Sequence, residues 1–182
     1  MPVTTVLVVC TANVCRSPMA AALLAARCHD SGSSARVWSA GTHAMSSEVA
    51  SDAVAVLADR GIDISGHTPR LLDRDDVSRA DLILTMECAH VAHVVAIDAA
   101  AFRKTFAVRE LAARADRSEP KRADETLDDY LSRQHRGRRA ADVLRSADEW
   151  DVADPMGQGR RAFETCATEL EGLMVPIAEM LR

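Results

Sequence analysis

The sequence is poor in aromatic residues: Phe, Trp and Tyr make up 3% of its 182 residues, although 48% of the chain is apolar. A core must therefore be built mostly from Ala, Val, Leu, Ile and Met, and a single domain of this length can bury one. The sequence also lacks an excess of positive charge, since its formal net charge is -5. This balance argues against nucleic acid or an anionic membrane as a partner.

Long hydrophobic runs are also missing. No segment approaches the ~20 apolar residues that span a bilayer. The apolar run at residues 6–9, with no basic residue before Arg16, is too short for a secretory signal. We expect a cytoplasmic protein, a monomer or weak dimer, with export by a signal-independent route left open.

Cysteines are few and odd in number, without the spacing of metal ligands. This usage predicts free thiols in a reducing compartment and no metal site. We also expect no organic cofactor. The five are Cys10, Cys15, Cys28, Cys88 and Cys166.

Short β-branched or apolar runs alternate with Ala- and Leu-rich helical patterns. Strands are predicted at residues 4–9, 82–86 and 105–108, and from residue 37 to an end within residues 39–42. This alternation predicts a single α/β domain with a parallel sheet covered by helices on both faces.

Residues 114–150 are rich in interleaved charges. We interpret them as a charged surface insert with one exposed helix over residues 127–144. The insert carries four closely spaced basic side chains, interpreted as a solvated helix end. They are Arg133, Arg136, Arg138 and Arg139.

The first predicted strand leads into a short loop that begins at Cys10 and ends at Arg16-Ser17-Pro18. Ser17 followed by Pro18 predicts a helix start. A loop entering a helix N-terminus directs backbone N–H groups inward and forms a nest for phosphate. Arg16 adds a planar fork for two phosphate oxygens, and the same donors would stabilise a nucleophilic Cys10 thiolate. Cys10 could instead be a small buried side chain, but the strand–loop–helix context favours a phosphate site.

The run of residues 9–18 resembles the N-terminal signature of low-molecular-weight protein-tyrosine phosphatases. The resemblance continues in order through residues 39–42, 61–67, 80–86, 109–111 and 154–155. It implies a four-stranded parallel sheet flanked by helices, and hydrolysis of phosphotyrosine in a protein or of a small aryl phosphate.

The resemblance also implies roles for individual residues. Cys10 would attack phosphorus, Arg16 would stabilise the phosphoryl oxygens, and Asp154 would protonate the leaving oxygen. Substrate-binding positions would be Thr11, Ala12, Asn13, Val14, Cys15 and Ser17. Ser39, His67 and Glu87 would support the site from nearby.

Two positions depart from the family pattern. Ala12 stands where glycine is usual, which predicts a φ angle that alanine can adopt. Met156 replaces an aromatic residue after Asp154-Pro155, and the one tyrosine, Tyr130, lies in the charged stretch. The departures at Ala12 and Met156 both bear on selectivity for aryl substrates.

Three alternatives have other functions. Protein-arginine phosphatases carry Thr before the second loop cysteine, where this chain has Val14. Thioredoxin-coupled arsenate reductases need relay cysteines, and Cys88 has no second cysteine near it. A phosphate-binding module without catalysis would not need the nucleophile, the arginine and the acid together.

Overall fold

The computed structural model describes residues 3–43, 48–145 and 147–182. Within these ranges four strands form one parallel sheet in the order β2-β1-β3-β4. The strands are β1 (Thr5–Cys10), β2 (Arg36–Gly41), β3 (Leu82–Thr85) and β4 (Thr105–Ala107). The predicted four-stranded parallel sheet in a single α/β domain is confirmed.

Strand β1 lies inside the sheet, and its side chains alternate between two cores. Val6 and Val8 belong to one apolar cluster, whereas Leu7 and Val9 belong to another. All four are fully buried, as expected for a strand covered on both faces. Because side chains alternate along a strand, Cys10 lies on the same side as Val6 and Val8.

Helices cover both faces of the sheet. Apolar side chains of α1, α2, α5 and α9 join the cluster of Val6, and those of α3 and α4 join the cluster of Leu7. None of the helices in the described ranges has the length and apolar character needed to cross a bilayer. The helices are α1 (Arg16–Asp30), α2 (Ser51–Ala58), α3 (Arg74–Arg79), α4 (Cys88–Ile97), a 3-10 helix (Ala99–Lys104), α5 (Val108–Arg117), α6 (Leu127–His135), α7 (Ala140–Arg145), α8 (Ala147–Trp150) and α9 (Arg160–Met180).

The prediction of a single exposed helix over residues 127–144 is wrong. The segment forms α6 and α7, separated at Gly137, whose φ of 75° is a left-handed conformation that glycine adopts without steric cost. Tyr130 and Leu131 of α6 are each 2% exposed. The insert therefore contributes side chains to the core, which its charged composition concealed.

Arg138 also corrects the interpretation of the basic cluster as a solvated helix end. Its side chain is fully buried and donates to Glu110 through Nε, 2.6 Å from Oε1. The guanidinium lies 4.0 Å from the centre of the Phe106 ring, a cation–π contact. Burial lowers the pKa of Arg138, and Glu110 acts in the opposite direction. This pair connects the insert to the end of the sheet at β4.

We predict that Glu110→Ala destabilises the protein by about 3–5 kcal/mol, because it leaves a buried guanidinium without its carboxylate. Asp128→Ala is the matched control, since it removes an ion pair with Arg103 in which both side chains are more than half exposed. That change should cost about 1 kcal/mol or less. Urea unfolding of both variants measures the difference; equal losses would contradict the anchoring role of Arg138.

Candidate active site

The site lies where three parallel strands end at one edge of the sheet. β1 ends at Cys10, its neighbour β2 ends at Gly41, and β3 ends at Thr85. Loops that follow adjacent parallel strands meet at the carboxyl edge, which is where ligands bind in open α/β sheets. The loop from Cys10 to Arg16 therefore lies beside the segments that follow β2 and β3.

Asn13 fixes the conformation of this loop. Its φ is 57°, in the left-handed region that Asn tolerates better than most residues. Its side-chain Nδ2 donates to Ser17 Oγ at 2.9 Å and to Ser39 Oγ at 2.8 Å, while its Oδ1 accepts from the amide of Arg70 at 3.0 Å. His67 Nε2 donates to the Asn13 carbonyl oxygen at 2.9 Å. The predicted supporting residues Ser39 and His67 thus both contact Asn13.

The sulfur of Cys10 is surrounded by donors. Ser17 Oγ lies 2.9 Å from Cys10 Sγ, and the Asn13 amide donates to the sulfur at 3.3 Å. Because Ser17 Oγ already accepts from Asn13 Nδ2, its own proton is free to point at the sulfur. Cys10 is 2% exposed. Two hydrogen-bond donors are therefore directed at the sulfur of Cys10.

The prediction that Ser17 caps α1, with Pro18 as the first helical residue, is wrong, since the helix begins at Arg16. Cys15 is its N-cap residue, and no side chain caps the helix. The Ser17 hydroxyl is engaged by Cys10 and Asn13 instead. A residue that looked like a helix cap therefore belongs to the site.

The loop also offers unpaired backbone donors. No acceptor among the described residues receives a hydrogen bond from the amides of Thr11, Ala12, Val14 or Cys15. Ala12 does not have a positive φ, so the alanine fits the loop as expected. Unpaired N–H groups at a helix N-terminus form the nest that binds phosphate.

Arg16 is the buried cation of the site, with a side chain that is 2% exposed. Its Nη1 donates to Glu87 Oε1 and to the Val152 carbonyl oxygen, the latter at 3.0 Å. Its Nη2 donates to Asp154 Oδ2 at 2.8 Å. Its Nε is buried and has no partner among the described residues. The guanidinium has five N–H donors and makes these three hydrogen bonds, so the Nε–H and one Nη2 hydrogen are available for a ligand.

Asp154 lies at the mouth of the site, and its side chain is 46% exposed. Its Oδ1 accepts from the Met156 amide at 3.0 Å and lies 3.8 Å from Cys15 Sγ. Among neighbouring acids, Asp151 accepts from the Cys88 amide at 2.6 Å and so orients α4. Among the side chains of this segment that the structure describes, Asp154 is the carboxylate that reaches Arg16.

The other thiols are buried and held neutral. Burial is the largest factor raising the pKa of Cys15 to about 12, and Asp154 and Cys10 act in the same direction. Burial and Asp151 raise the pKa of Cys88 to about 12. Cys28 and Cys166, expected to be core residues, are 1% and 4% exposed. Within the described ranges no group of three or more His, Cys, Asp or Glu side chains could hold a metal ion.

Two residues at the site were not found from the sequence. His90 contacts Thr11, with Nε2 3.0 Å from Thr11 Oγ1, and Arg70 holds Asn13 through its backbone amide. A backbone contact leaves no pattern in the side chains. His90 lies three residues after Glu87, on the first turn of α4, and this spacing was the available signal.

We predict that Gly41→Ala disrupts the loop. A Cβ at residue 41 would lie 2.7 Å from the Thr11 carbonyl oxygen and 3.0 Å from the Asn13 amide nitrogen, so the loop backbone must shift. Overpacking of this kind costs about 1–3 kcal/mol, and inorganic phosphate should bind at least about tenfold more weakly. Gly66→Ala is the control, because its Cβ would meet nothing within 4 Å. Titration with inorganic phosphate measures the affinity of both variants. An unchanged affinity in Gly41→Ala would contradict the close packing of β2 against the loop.

Comparison with known proteins identifies relatives over the whole chain. The family model described as low molecular weight phosphotyrosine protein phosphatase matches residues 5–182. A low molecular weight protein-tyrosine-phosphatase of Streptomyces coelicolor is 34% identical over 95% of this chain and 93% of its own length. The relative Etp of Escherichia coli is 41% identical, but the match spans 50% of this chain and 60% of Etp. The chain thus spans little more than half the length of some curated relatives that it matches.

Solved structures of a tyrosine phosphatase and of an arginine phosphatase both share the architecture of this chain. A low molecular weight protein tyrosine phosphatase from T. tengcongensis is 30% identical, with a TM-score of 0.73 over 96% of this chain and 97% of that one. The YwlE arginine phosphatase from Geobacillus stearothermophilus is 28% identical, with a TM-score of 0.71 over 98% of this chain and 92% of that one.

Proposed function

The chain belongs to the low molecular weight phosphotyrosine protein phosphatase family, and we propose that it hydrolyses phosphotyrosine in proteins, or small aryl phosphates, through a phosphocysteine intermediate. The observation that carries this proposal is the set of unpaired donors around Cys10. Four loop amides and the buried Arg16 Nε have no described acceptor. A phosphate dianion would satisfy them, because its oxygens are strong acceptors.

The reaction follows from three side chains. The Cys10 thiolate attacks phosphorus, the bond from phosphorus to the tyrosine oxygen breaks, and Asp154 gives its proton to that oxygen. Water then attacks the phosphocysteine, Asp154 takes a proton from the water, and the thiolate leaves as inorganic phosphate forms. Arg16 and the loop amides stabilise the charge on the transferring phosphoryl group.

Binding of phosphate requires an exchange at Arg16. In the ligand-free site Arg16 Nη2 donates to Asp154 Oδ2. A phosphate oxygen that took over this donor would release Asp154 from Arg16, so that its carboxyl group could face the leaving oxygen. Glu87 would keep its own contact with Nη1. Phosphate binding would therefore prepare the proton donor for the first step.

Specificity for phosphotyrosine is supported by the loop. Val14 belongs to the loop from Cys10 to Arg16 and stands at the position of Thr in arginine phosphatases, and an apolar side chain there suits an aryl ring rather than a guanidinium. Tyr130 is buried, so its ring is not available to stack on the substrate. Met156, which follows Asp154-Pro155, is 49% exposed. Hydrolysis of phosphoarginine is the second candidate, because the match to an arginine phosphatase extends over nearly the whole chain.

Arsenate reduction is less well supported. A relay needs a thiolate that attacks a disulfide, and the thiolate is the reactive form. Cys88 is 1% exposed and has a pKa of about 12. A thiol in this condition is a poor relay. The buried free thiols agree with a reducing cytoplasm, which we propose as the location, with the protein a monomer or weak dimer.

A panel of substrates tests the function. We predict hydrolysis of a phosphotyrosine peptide at least about tenfold faster than of a phosphoarginine peptide, and no thioredoxin-dependent reduction of arsenate. Val14→Thr should shift the ratio toward phosphoarginine, because a hydroxyl there can bond to a guanidinium. Faster hydrolysis of phosphoarginine by the wild type would overturn the specificity, and hydrolysis of neither would overturn the proposed function.

Cys10→Ser tests the nucleophile. We expect turnover of aryl phosphate to be abolished, because serine lacks the ionised sulfur, while inorganic phosphate still binds to the loop amides and Arg16. Arg16→Ala, in contrast, should lose both turnover and phosphate affinity. Both quantities are measured by initial rates and phosphate titration. Turnover by Cys10→Ser comparable to the wild type would exclude this assignment.

Asp154→Asn tests the proton donor. General acid assistance is worth about 10²–10⁴-fold, so hydrolysis of phosphotyrosine should slow by that order. Hydrolysis of p-nitrophenyl phosphate should slow much less, because nitrophenolate leaves without protonation. Rates for both esters across the pH range measure this. Equal slowing of the two esters with an unchanged pH profile would mean that Asp154 only shapes its turn.

A further inference from the structure

His90 lies beside the loop on the first turn of α4, directly after the segment that follows β3. It is 4% exposed, and its Nε2 is 3.0 Å from Thr11 Oγ1. Thr11 is the residue after Cys10. An imidazole is thus hydrogen-bonded to the side chain next to the proposed nucleophile.

His90 is neutral at physiological pH. Burial is the main factor that lowers its pKa, to about 4. Among the charged groups that face it, Glu87 acts in the opposite direction, and Arg16, His93 and His43 act with burial. A neutral imidazole carries one ring proton, with one nitrogen a donor and the other an acceptor.

The surroundings favour the proton on Nε2. This nitrogen faces Thr11 Oγ1 and also lies 3.9 Å from Glu87 Oε2. Nδ1 is buried and has no partner among the described residues. A proton on Nδ1 would be a buried donor without a partner, which is unfavourable, and would turn the Nε2 lone pair toward the Glu87 carboxylate.

We propose that His90 is a positioning residue that donates from Nε2 to Thr11 Oγ1 and so directs the Thr11 hydroxyl proton to an oxygen of the bound phosphomonoester. His90 fills an acceptor position of the hydroxyl, and no other described residue hydrogen-bonds to Thr11 Oγ1. The proton of the hydroxyl is therefore available for a substrate oxygen. This role deepens the proposed function, because it concerns the substrate at the same site.

The tautomer can be measured without any activity. Two-dimensional ¹⁵N–¹H correlation spectra of the histidine rings distinguish a proton on Nε2 from one on Nδ1. We expect His90 to be the Nε2–H tautomer and not to titrate between about pH 5.5 and 8, whereas an exposed histidine titrates near about 6.5. A proton on Nδ1, or a charged imidazolium at neutral pH, would overturn the proposal.

A double-mutant cycle tests the link to the substrate. Thr11→Val and His90→Leu should each lower kcat/KM for aryl phosphate by up to about tenfold, the worth of one hydrogen bond. The double variant should lose no more than either single variant, because both remove the same donor. Losses that multiply in the double variant would overturn the coupling.

Further variants separate positioning from a merely structural role. His90→Gln, whose amide can donate to Thr11, should recover part of the activity and also serves if His90→Leu does not fold. His93→Leu is the matched control and should remain within about twofold of the wild type. A fall in thermal stability parallel to the fall in kcat/KM, or an equal loss in His93→Leu, would overturn the proposal. If the wild type hydrolyses no phosphomonoester, the proposed function fails, while the spectra still report on His90.

Discussion

The site depends on the burial of one positive charge. A guanidinium that is 2% exposed is tolerated only when nearby groups pair with it. The partners of Arg16 come from distant parts of the chain: Glu87 follows β3, while the Val152 carbonyl and Asp154 precede α9. Because these segments must meet at Arg16, one point of the structure brings together the loop from Cys10 to Arg16, the end of the sheet and the proposed acid, Asp154.

The same environment distinguishes Cys10 from the other thiols. Cys15 and Cys166 are buried among groups that raise their pKa values to about 12. Cys10 is equally buried, but a hydroxyl and a backbone amide are directed at its sulfur. Burial alone makes a cysteine inert, and burial with donors makes it a candidate nucleophile. Among the described thiols, Cys10 is therefore the candidate nucleophile, because the loop directs donors at its sulfur.

The fold and the loop could be predicted from the sequence because their signals are local. Strand, loop and helix follow one another within the first 30 residues, and the alternation of strands with helices along the chain predicts a parallel sheet. Contacts between distant residues leave no such pattern. The ion pair of Arg16 with Asp154 joins residues 138 positions apart; the resemblance implied a role for Asp154 in the site, but not this contact. Arg138 was misjudged because a buried arginine and a solvated one look alike until their partners are known.

The most direct test of this account is to trap the covalent intermediate. Wild-type protein and Cys10→Ala, whose methyl group cannot accept a phosphoryl group, should be mixed with an aryl phosphate, quenched in acid within the first turnover and analysed by peptide mass spectrometry. We predict one phosphoryl group on the peptide that contains Cys10 in the wild type, and none on that peptide in the variant. A phosphoryl group on another residue, or rapid turnover with no labelled Cys10, would contradict it.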